Sequence, residues 1–242
     1  RSAGGTPGKD YKVSPFMKNH QQQELMEYYD ERAPEYDEIY LGGTPGIPEP
    51  QAYREDVEAI KAICRSFGRG HLIDIGCGTG YWLPYYGRNC AEITLVDQSR
   101  KMLAECQKRV KELNADLDVH FVKGNFFDIR FFSKVHNTAV IAFLVSHLNE
   151  ESEGVFWRKL KRILTPKAEM LWIDGSWSQT RKKHRAKEGS QKRTLNDGRS
   201  FTVFKKYYDE KDIQAVADKY SFTLHSLYMG EVFFAARAAL RS

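Results

Sequence analysis

The chain has 242 residues and a formal net charge of +5, with 41% hydrophobic and 13% aromatic residues. This composition is typical of a globular protein and argues against disorder, and the length suffices for one large core. No apolar run approaches the roughly 18 residues that span a bilayer. The N-terminus also lacks the basic and apolar regions of an export signal. We therefore expect a cytoplasmic protein without a membrane span.

The cysteines and the glycine-rich N-terminus bear on metal binding and on domain organisation. No cysteine lies in a CxxC pair or near a histidine at ligand spacing, so we expect no metal. Residues 1–15 predict a flexible tail, and residues 16–242 a single domain. Within that domain, residues 16–50 predict an N-terminal helical lid segment and residues 176–208 an insertion.

From His71 onward, short apolar runs alternate with helical patterns. Such alternation predicts a parallel sheet wound by right-handed crossovers. The predicted strands are residues 72–76, 92–97, 118–124, 138–145, 168–174, 222–230 and 231–240. The predicted helices are residues 57–67, 81–88, 99–113, 155–164 and 209–220.

Two turns near the C-terminus predict antiparallel pairing. The dipeptide Asp197-Gly198 predicts a tight hairpin inside the insertion. The last two strands are joined through only Gly230 and Glu231, and strands with so short a connection must be antiparallel. The main sheet is therefore expected to contain one reversed strand.

The stretch DIGCGTG, residues 74–80, places Gly76, Gly78 and Gly80 between a strand and a helix. Their GxGxG spacing differs from the GxGxxG of dinucleotide sites, so a dinucleotide oxidoreductase is disfavoured. Asp74 suits a cationic ligand, and Asp97 at the end of the next strand could accept both hydroxyls of a ribose. The alternatives are a plain tight turn for the glycine loop and a helix-capping carboxylate for Asp97. Together the residues favour S-adenosylmethionine.

Three further segments follow the glycine loop in order: VKGNFFD, AFLVSHLNEE and ILTPKAEMLWIDGSW. With them, the chain resembles the class I S-adenosylmethionine-dependent methyltransferases, particularly their small-molecule branch. The resemblance covers about residues 24–238. It implies an α/β, Rossmann-like, doubly wound sheet of seven strands, mostly parallel with an antiparallel last strand. It also implies a methyltransferase activity of the EC 2.1.1 type.

The resemblance assigns the glycine loop to the methionine part of the cofactor, Asp97 to the ribose and Gln98 to the adenine. The family more often has Asp where this chain has Asn125, although the Asn carbonyl can still accept a hydrogen bond from an amine. The predicted cofactor-binding residues are Tyr36, Asp74, Gly76, Gly78, Gly80, Asp97, Gln98, Met102, Asn125, Phe126 and Phe143.

Candidate acceptor residues come from two segments. YYDERAPEYDEIY resembles a segment that closes over the cofactor in small-molecule members, and its spacing could place Tyr29, Arg32, Tyr36 and Tyr40 on one helical face. An aromatic face packed on the core is the alternative. The insertion adds Trp177, Arg193 and Tyr207, each of which could instead pack the hairpin or lie on the surface.

His147 is the candidate catalytic base, because it follows the fourth strand and its ordinary pKa suits proton removal. A histidine that caps or packs the next helix is the alternative. We expect methyl transfer to an oxygen or nitrogen atom of a small metabolite, aromatic or anionic. The other hypotheses are an RNA or protein methyltransferase that uses the basic segment 181–193, and a non-catalytic cofactor-binding partner domain. The chain lacks Pro-Pro-Tyr/Phe and Pro-Cys motifs, which argues against nucleic-acid targets.

Overall fold

A computed structural model describes residues 20–44, 47–113, 116–130 and 135–241. The predicted tail, residues 1–15, lies outside the described residues, as does the start of the lid segment at 16–19. No helix within the described ranges is long and apolar enough to cross a membrane.

The described chain folds into helices on both sides of a central sheet. Its strands are β1 (His71–Ile75), β2 (Glu92–Asp97), β3 (Val119–Lys123), β4 (His136–Ala142), β5 (Leu164–Gly175), β6 (Glu188–Thr194), β7 (Ser200–Lys206), β8 (Phe222–Met229) and β9 (Phe233–Leu240). Its α-helices are α1 (His20–Arg32), α2 (Glu38–Leu41), α3 (Pro50–Arg65), α4 (Leu83–Tyr86), α5 (Arg100–Glu112), α6 (Glu150–Ile163), α7 (Gln179–Lys182) and α8 (Glu210–Lys219). Single 3-10 turns occupy Ala33–Glu35, Gly87–Asn89 and Val145–His147.

Seven strands form the central sheet in the order β3-β2-β1-β4-β5-β9-β8. Strands β1 to β5 pair in parallel, whereas β9 runs antiparallel to both β5 and β8. The predicted sheet with one reversed strand is thus confirmed. The strand order reverses between β1 and β4, and ligands of open α/β sheets bind in the crevice that such a reversal leaves at the carboxyl ends of the strands.

The two faces of the sheet bury separate apolar clusters. Ile73 and Ile75 of β1 pack on the side of α6 and α8. Leu72 points to the other side, where residues of α3, α4 and α5 cover the sheet. Because successive side chains of a strand alternate between faces, β1 is buried on both sides. The sheet therefore offers a firmly packed base for loops at its carboxyl edge.

Several element boundaries differ from the predicted ones. β4 ends at Ala142 rather than residue 145, because Phe143 adopts a left-handed conformation with φ of 55°. The helix predicted at 155–164 begins earlier, after Asn149 caps it, and ends at Ile163. β5 starts at once and carries Pro166 near its beginning, beside a register shift against β4. At that position a missing N–H costs few ladder hydrogen bonds.

The N-terminal segment is not one continuous helix. α1 ends at Arg32 and a 3-10 turn containing Pro34 follows, so the predicted single face for Tyr29, Arg32, Tyr36 and Tyr40 is broken. The physical reason is that Pro34 has no backbone N–H, so it cannot donate the α-helical hydrogen bond to the carbonyl four residues earlier.

The insertion folds as predicted around Asp197-Gly198, with β6 and β7 forming a separate antiparallel pair. Tyr28 of α1 packs against Phe201 and Val203 of β7. The lid segment and the hairpin therefore contact each other above the carboxyl edge of the central sheet.

Candidate active site

A cavity of about 300 Å³ opens at the carboxyl ends of β1, β2 and β4. This volume lies at the small end of the range for small-molecule sites. The predicted site residues that line it are Tyr29, Tyr36, Gly76, Gly78, Asp97, Gln98, Met102, Asn125, Phe126, Phe143 and His147. The cavity therefore joins predicted cofactor residues with the predicted base in one space.

The glycine loop presents bare backbone to this cavity. Gly76 and Gly78 both line it and adopt left-handed conformations, with φ of 73° and 55°. Gly80 has φ of 72° but packs elsewhere, since a Cβ at that position would lie 2.6 Å from the Sγ of Cys106 in α5. Gly80 therefore lets the loop pack on α5 rather than contact a ligand.

Replacing Gly80 with alanine is expected to lower the free energy of unfolding by about 2–4 kcal/mol. The left-handed backbone and the contact with Cys106 both disfavour a side chain there. Urea unfolding measures the change. The matched control is Gly43→Ala, where a Cβ meets nothing closer than 3.6 Å and a change within about 0.5 kcal/mol is expected. A similarly small loss for Gly80→Ala would refute this account of the loop.

Asp97 ends β2 and ties the loop to the next helix. Its Oδ2 accepts the Gly78 N–H at 2.9 Å, and its Oδ1 accepts the Ser99 N–H at 2.8 Å. Burial raises the pKa of Asp97 to about 6, against the lowering effect of these backbone donors. Each carboxylate oxygen can accept a second hydrogen bond, and Asp97 lines the cavity. It can therefore bind a diol there.

Asp74 lies beneath the loop rather than at the cavity wall. It is buried, and the Tyr86 hydroxyl donates to its Oδ2 at 2.5 Å. No group among the described residues donates to its Oδ1. Burial raises the pKa of Asp74 to about 7, and the nearby charge of Asp97 acts in the same direction. An unpartnered buried acceptor beside the loop suits a cationic ligand group.

Asn125 and Phe126 follow β3 at the far side of the cavity. The Oδ1 of Asn125 accepts the Phe127 N–H at 3.0 Å, which shapes the turn. The ring of Phe126 packs against Phe156 of α6 with centroids 5.3 Å apart. On the opposite wall, the ring of Phe143 packs 5.0 Å from that of Phe233. The cavity between these walls is therefore bounded by aromatic side chains held in the core.

The contacts of His147 define its tautomer. Its Nδ1 lies 2.7 Å from the carbonyl oxygen of Phe204, which can only accept, so Nδ1 carries the proton. Nε2 must then accept the hydrogen bond from the Tyr29 hydroxyl, also at 2.7 Å. Burial lowers the pKa of His147 well below its ordinary value, and the positive charge of Lys205 adds to this effect. His147 is thus a neutral imidazole with an acceptor nitrogen.

Two predicted substrate residues of the lid segment lie away from the cavity wall. The Arg32 guanidinium sits over the rings of Tyr28 and Tyr36, at 5.4 and 5.2 Å, and donates to the Tyr28 hydroxyl. Tyr40 is buried and stacks on Tyr81 with centroids 4.1 Å apart. Arg32 therefore packs within the lid segment, whereas Tyr40 packs the lid against the body of the protein.

The predicted residues of the insertion also lie elsewhere. Trp177 stacks on Tyr207 at 6.3 Å, and the Arg181 guanidinium lies 4.5 Å from the Tyr207 ring centroid. Arg193 donates to Gln191 Oε1 at 2.9 Å. Within the described chain, the cavity wall does not include Trp177, Arg193 or Tyr207.

The insertion instead reaches the cavity through other residues, which sequence reasoning missed. They are Ser190, Thr202, Val203 and Phe204. The alternation along β7 marks Phe201, Val203 and Lys205 as its buried side, but of these only Val203 lines the cavity, so this pattern alone does not identify Thr202 or Phe204.

The basic segment 181–193 is partly engaged within the fold. Arg181 donates to the Val232 carbonyl at 2.6 Å and to the Tyr53 hydroxyl at 3.2 Å. Lys187 pairs with Asp209 and Asp212. These two cations therefore have intramolecular partners, and the use of this segment for docking stays a prediction.

Residues 72–167 match the family model of a methyltransferase domain. A comparison with curated protein sequences gives no match. Among solved structures, the DhpI-SAM-HEP complex is 21% identical with a TM-score of 0.70, covering 92% of this chain and 99% of that chain. The family match identifies residues 72–167 as similar to a methyltransferase domain, and the described chain has the fold of solved S-adenosylmethionine-dependent methyltransferases.

Two further structures share the fold at lower identity. The N-methyltransferase NodS from Bradyrhizobium japonicum WM9, solved with S-adenosyl-L-homocysteine, is 12% identical with a TM-score of 0.63, covering 90% of this chain and 100% of that one. The 1,6-didemethyltoxoflavin-N1-methyltransferase of Burkholderia thailandensis is 14% identical with a TM-score of 0.57, covering 89% and 90%. These likenesses extend well beyond residues 72–167.

Proposed function

We propose that this methyltransferase transfers a methyl group from S-adenosylmethionine to an oxygen or nitrogen atom of a small molecule. The observation that supports the proposal is a single cavity with two parts. One part is lined by Gly76, Gly78 and Asp97, and the other by Tyr29 and His147. Donor and acceptor would then meet in a space that lies between the sheet, the lid segment and the hairpin.

The residues present fit the cofactor. Asp97 would bind the ribose hydroxyls, the bare backbone of Gly76 and Gly78 admits close approach, and the unpartnered Oδ1 of Asp74 suits an ammonium group. Gln98 and Asn125 would contact the adenine. When bound, S-adenosylmethionine supplies an electrophilic methyl group on a sulfonium.

His147 would remove the proton of the acceptor. Its Nε2 already accepts a hydrogen bond from the Tyr29 hydroxyl, and an acceptor hydroxyl or amine would take the place of that hydroxyl. The Phe204 carbonyl would hold the imidazole while Nε2 gains the proton. Alignment of the acceptor with the methyl group provides the rest of the rate enhancement, since orientation alone contributes roughly 7–11 kcal/mol in favourable cases.

The lid segment, residues 16–50, would cover the cofactor and limit the acceptor to a small molecule. Asp37 accepts from Thr79 of the glycine loop and from Arg109 of α5, both at 2.5 Å. At the other side, Glu38 accepts from Asn196 of the hairpin at 3.0 Å. A segment bonded to both loop and hairpin leaves little room for a polymer. The small molecule named for the B. thailandensis neighbour also supports this choice.

Calorimetry with S-adenosylhomocysteine and an assay of its formation test the proposal. We expect one binding site per chain, and product formation with at least one compound in a panel of aromatic, anionic and amine acceptors. Absence of binding would overturn the cofactor assignment. Binding without turnover on the whole panel would instead favour the non-catalytic partner domain.

The affinity for S-adenosylhomocysteine is expected to rise by at least about tenfold from pH 5.5 to 7.5. The pKa values of Asp97 and Asp74 are raised to about 6 and about 7, so both carboxyls are largely protonated at pH 5.5 and ionised by pH 7.5. Only an ionised carboxylate accepts hydrogen bonds on both of its oxygen atoms. In the free protein, the same raised pKa values make the free energy of unfolding fall as the pH rises from 5.5 to 7.5.

Calorimetry at pH 5.5, 6.5 and 7.5 measures this dependence. The variant Asp74→Asn should lose the part of the pH dependence that has the higher midpoint, and it should keep the part that is due to Asp97. A constant affinity over this pH range would count against both carboxylates as cofactor ligands.

A further inference from the structure

Lys205 is a buried cation that the proposed reaction has not used. It lies on β7, and its side chain is 9% exposed. Its Nζ donates to Asp174 Oδ1 at 3.0 Å and to the Ser146 hydroxyl. Burying an ion pair costs desolvation that the attraction does not always offset, so stability alone is a weak reason for its presence.

The partners of Lys205 lead to the turn that carries His147. Asp174 is the penultimate residue of β5 and is fully buried, and its Oδ2 accepts the Ser146 N–H at 3.2 Å. Ser146 directly precedes His147 in the 3-10 turn Val145–His147. The side chains of Asp174 and Lys205 therefore hold the residue before the base from two different strands.

The residue before Lys205 holds the base itself. Phe204 lies on the same strand, and its carbonyl oxygen accepts the hydrogen bond from His147 Nδ1. We propose that Lys205 is a positioning residue for His147: seated on Asp174, it fixes β7 against the turn so that the Phe204 carbonyl keeps the proton on Nδ1 and leaves Nε2 as the acceptor. The inference rests on the proposed role of His147 as base.

The charges around His147 give this arrangement a measurable consequence. Burial lowers the pKa of His147 most strongly. The pKa is lowered further by the positive charges of Lys205 on β7, Arg193 on β6 and Arg32 on α1. Tyr29 faces the ring as a neutral hydroxyl, because burial raises its pKa well above the ordinary value. Asp174 is the negative partner of Lys205. Removing the Lys205 charge should therefore raise the pKa of His147.

Nitrogen NMR of the imidazoles tests the inference without need of turnover. The chain has seven histidines, and the His147 signals are those that vanish in His147→Gln. The double variant Asp174→Asn/Lys205→Met avoids an unpaired buried carboxylate. We expect its His147 midpoint to rise by about one pH unit or more, with a proton on Nε2 in part of the neutral molecules. Lys205→Arg keeps the charge and should retain the wild-type midpoint.

Kinetics and a second variant complete the design. The double variant should lower kcat and move the acidic limb of its pH profile upward, while the Kd of S-adenosylhomocysteine stays within about twofold. Lys205→Gln removes the charge but keeps a donor, and it provides the same comparison if the double variant does not fold. If the NMR midpoint shifts but no acceptor is methylated, the positioning claim stands and the proposed function fails. A folded charge-removing variant with the wild-type midpoint and tautomer would overturn the inference.

Discussion

Replacing Asp97 with alanine is expected to weaken the binding of S-adenosylhomocysteine by about 100- to 1,000-fold. Two hydrogen bonds from ribose hydroxyls to a charged group are worth about 3–4 kcal/mol together, and 1.4 kcal/mol is a factor of ten. The change also frees the Gly78 and Ser99 N–H groups that Asp97 holds. Calorimetry at pH 7.5 measures the loss.

The matched control is Asp118→Ala. Asp118 is an exposed aspartate at the opposite end of the strands, beside His120, and its replacement should leave the Kd within about twofold. Thermal unfolding verifies that both variants fold. A folded Asp97→Ala protein with a Kd less than about fivefold above wild type would be incompatible with Asp97 as the ribose ligand.

Replacing His147 with glutamine is expected to lower kcat by a factor of about 100 to 10,000. This range is typical of the loss of a positioned general base. Because His147 lines a part of the cavity away from the glycine loop, the Kd of S-adenosylhomocysteine should change by no more than a few fold. Single-turnover methyl transfer separates the chemical step from binding.

The pH profile of the wild-type enzyme provides a second readout for His147. Burial lowers the pKa of His147 well below its ordinary value, so the imidazole stays neutral below pH 6.5, and at saturating S-adenosylmethionine the acidic limb of kcat/KM for the acceptor should lie below that of an ordinary histidine. The control is His225→Gln, an exposed position on β8 that should leave kcat unchanged. Full activity of His147→Gln with a hydroxyl or ammonium acceptor would rule out the histidine as base.

Much of the fold was predictable because it depends on local patterns. Alternating strands and helices predict the parallel sheet, and the short connection before β9 predicts its reversal. The positive φ values at Gly76, Gly78 and Gly80 match the residue type that adopts them most readily. For the lid, the break at Pro34 could also be predicted, since a proline lacks the N–H that an α-helix needs at that position.

The acceptor half of the cavity could not be predicted in the same way. Which face of the β6–β7 hairpin meets the sheet depends on tertiary packing, and the predicted Trp177, Arg193 and Tyr207 lie outside the cavity wall while Thr202 and Phe204 line it. The left-handed conformation at Phe143 carries no signal in an apolar run. Long-range pairs such as Lys205 with Asp174 leave no spacing to recognise.

Methyl transfer from S-adenosylmethionine with an isotope-labelled methyl group tests the central claim most directly. The enzyme is incubated with the small-molecule, RNA and protein fractions of one cell lysate, and each fraction is then analysed by mass spectrometry. The account predicts label in the small-molecule fraction on oxygen or nitrogen, and its loss with His147→Gln. Label confined to RNA or protein, or no label in any fraction, would contradict it.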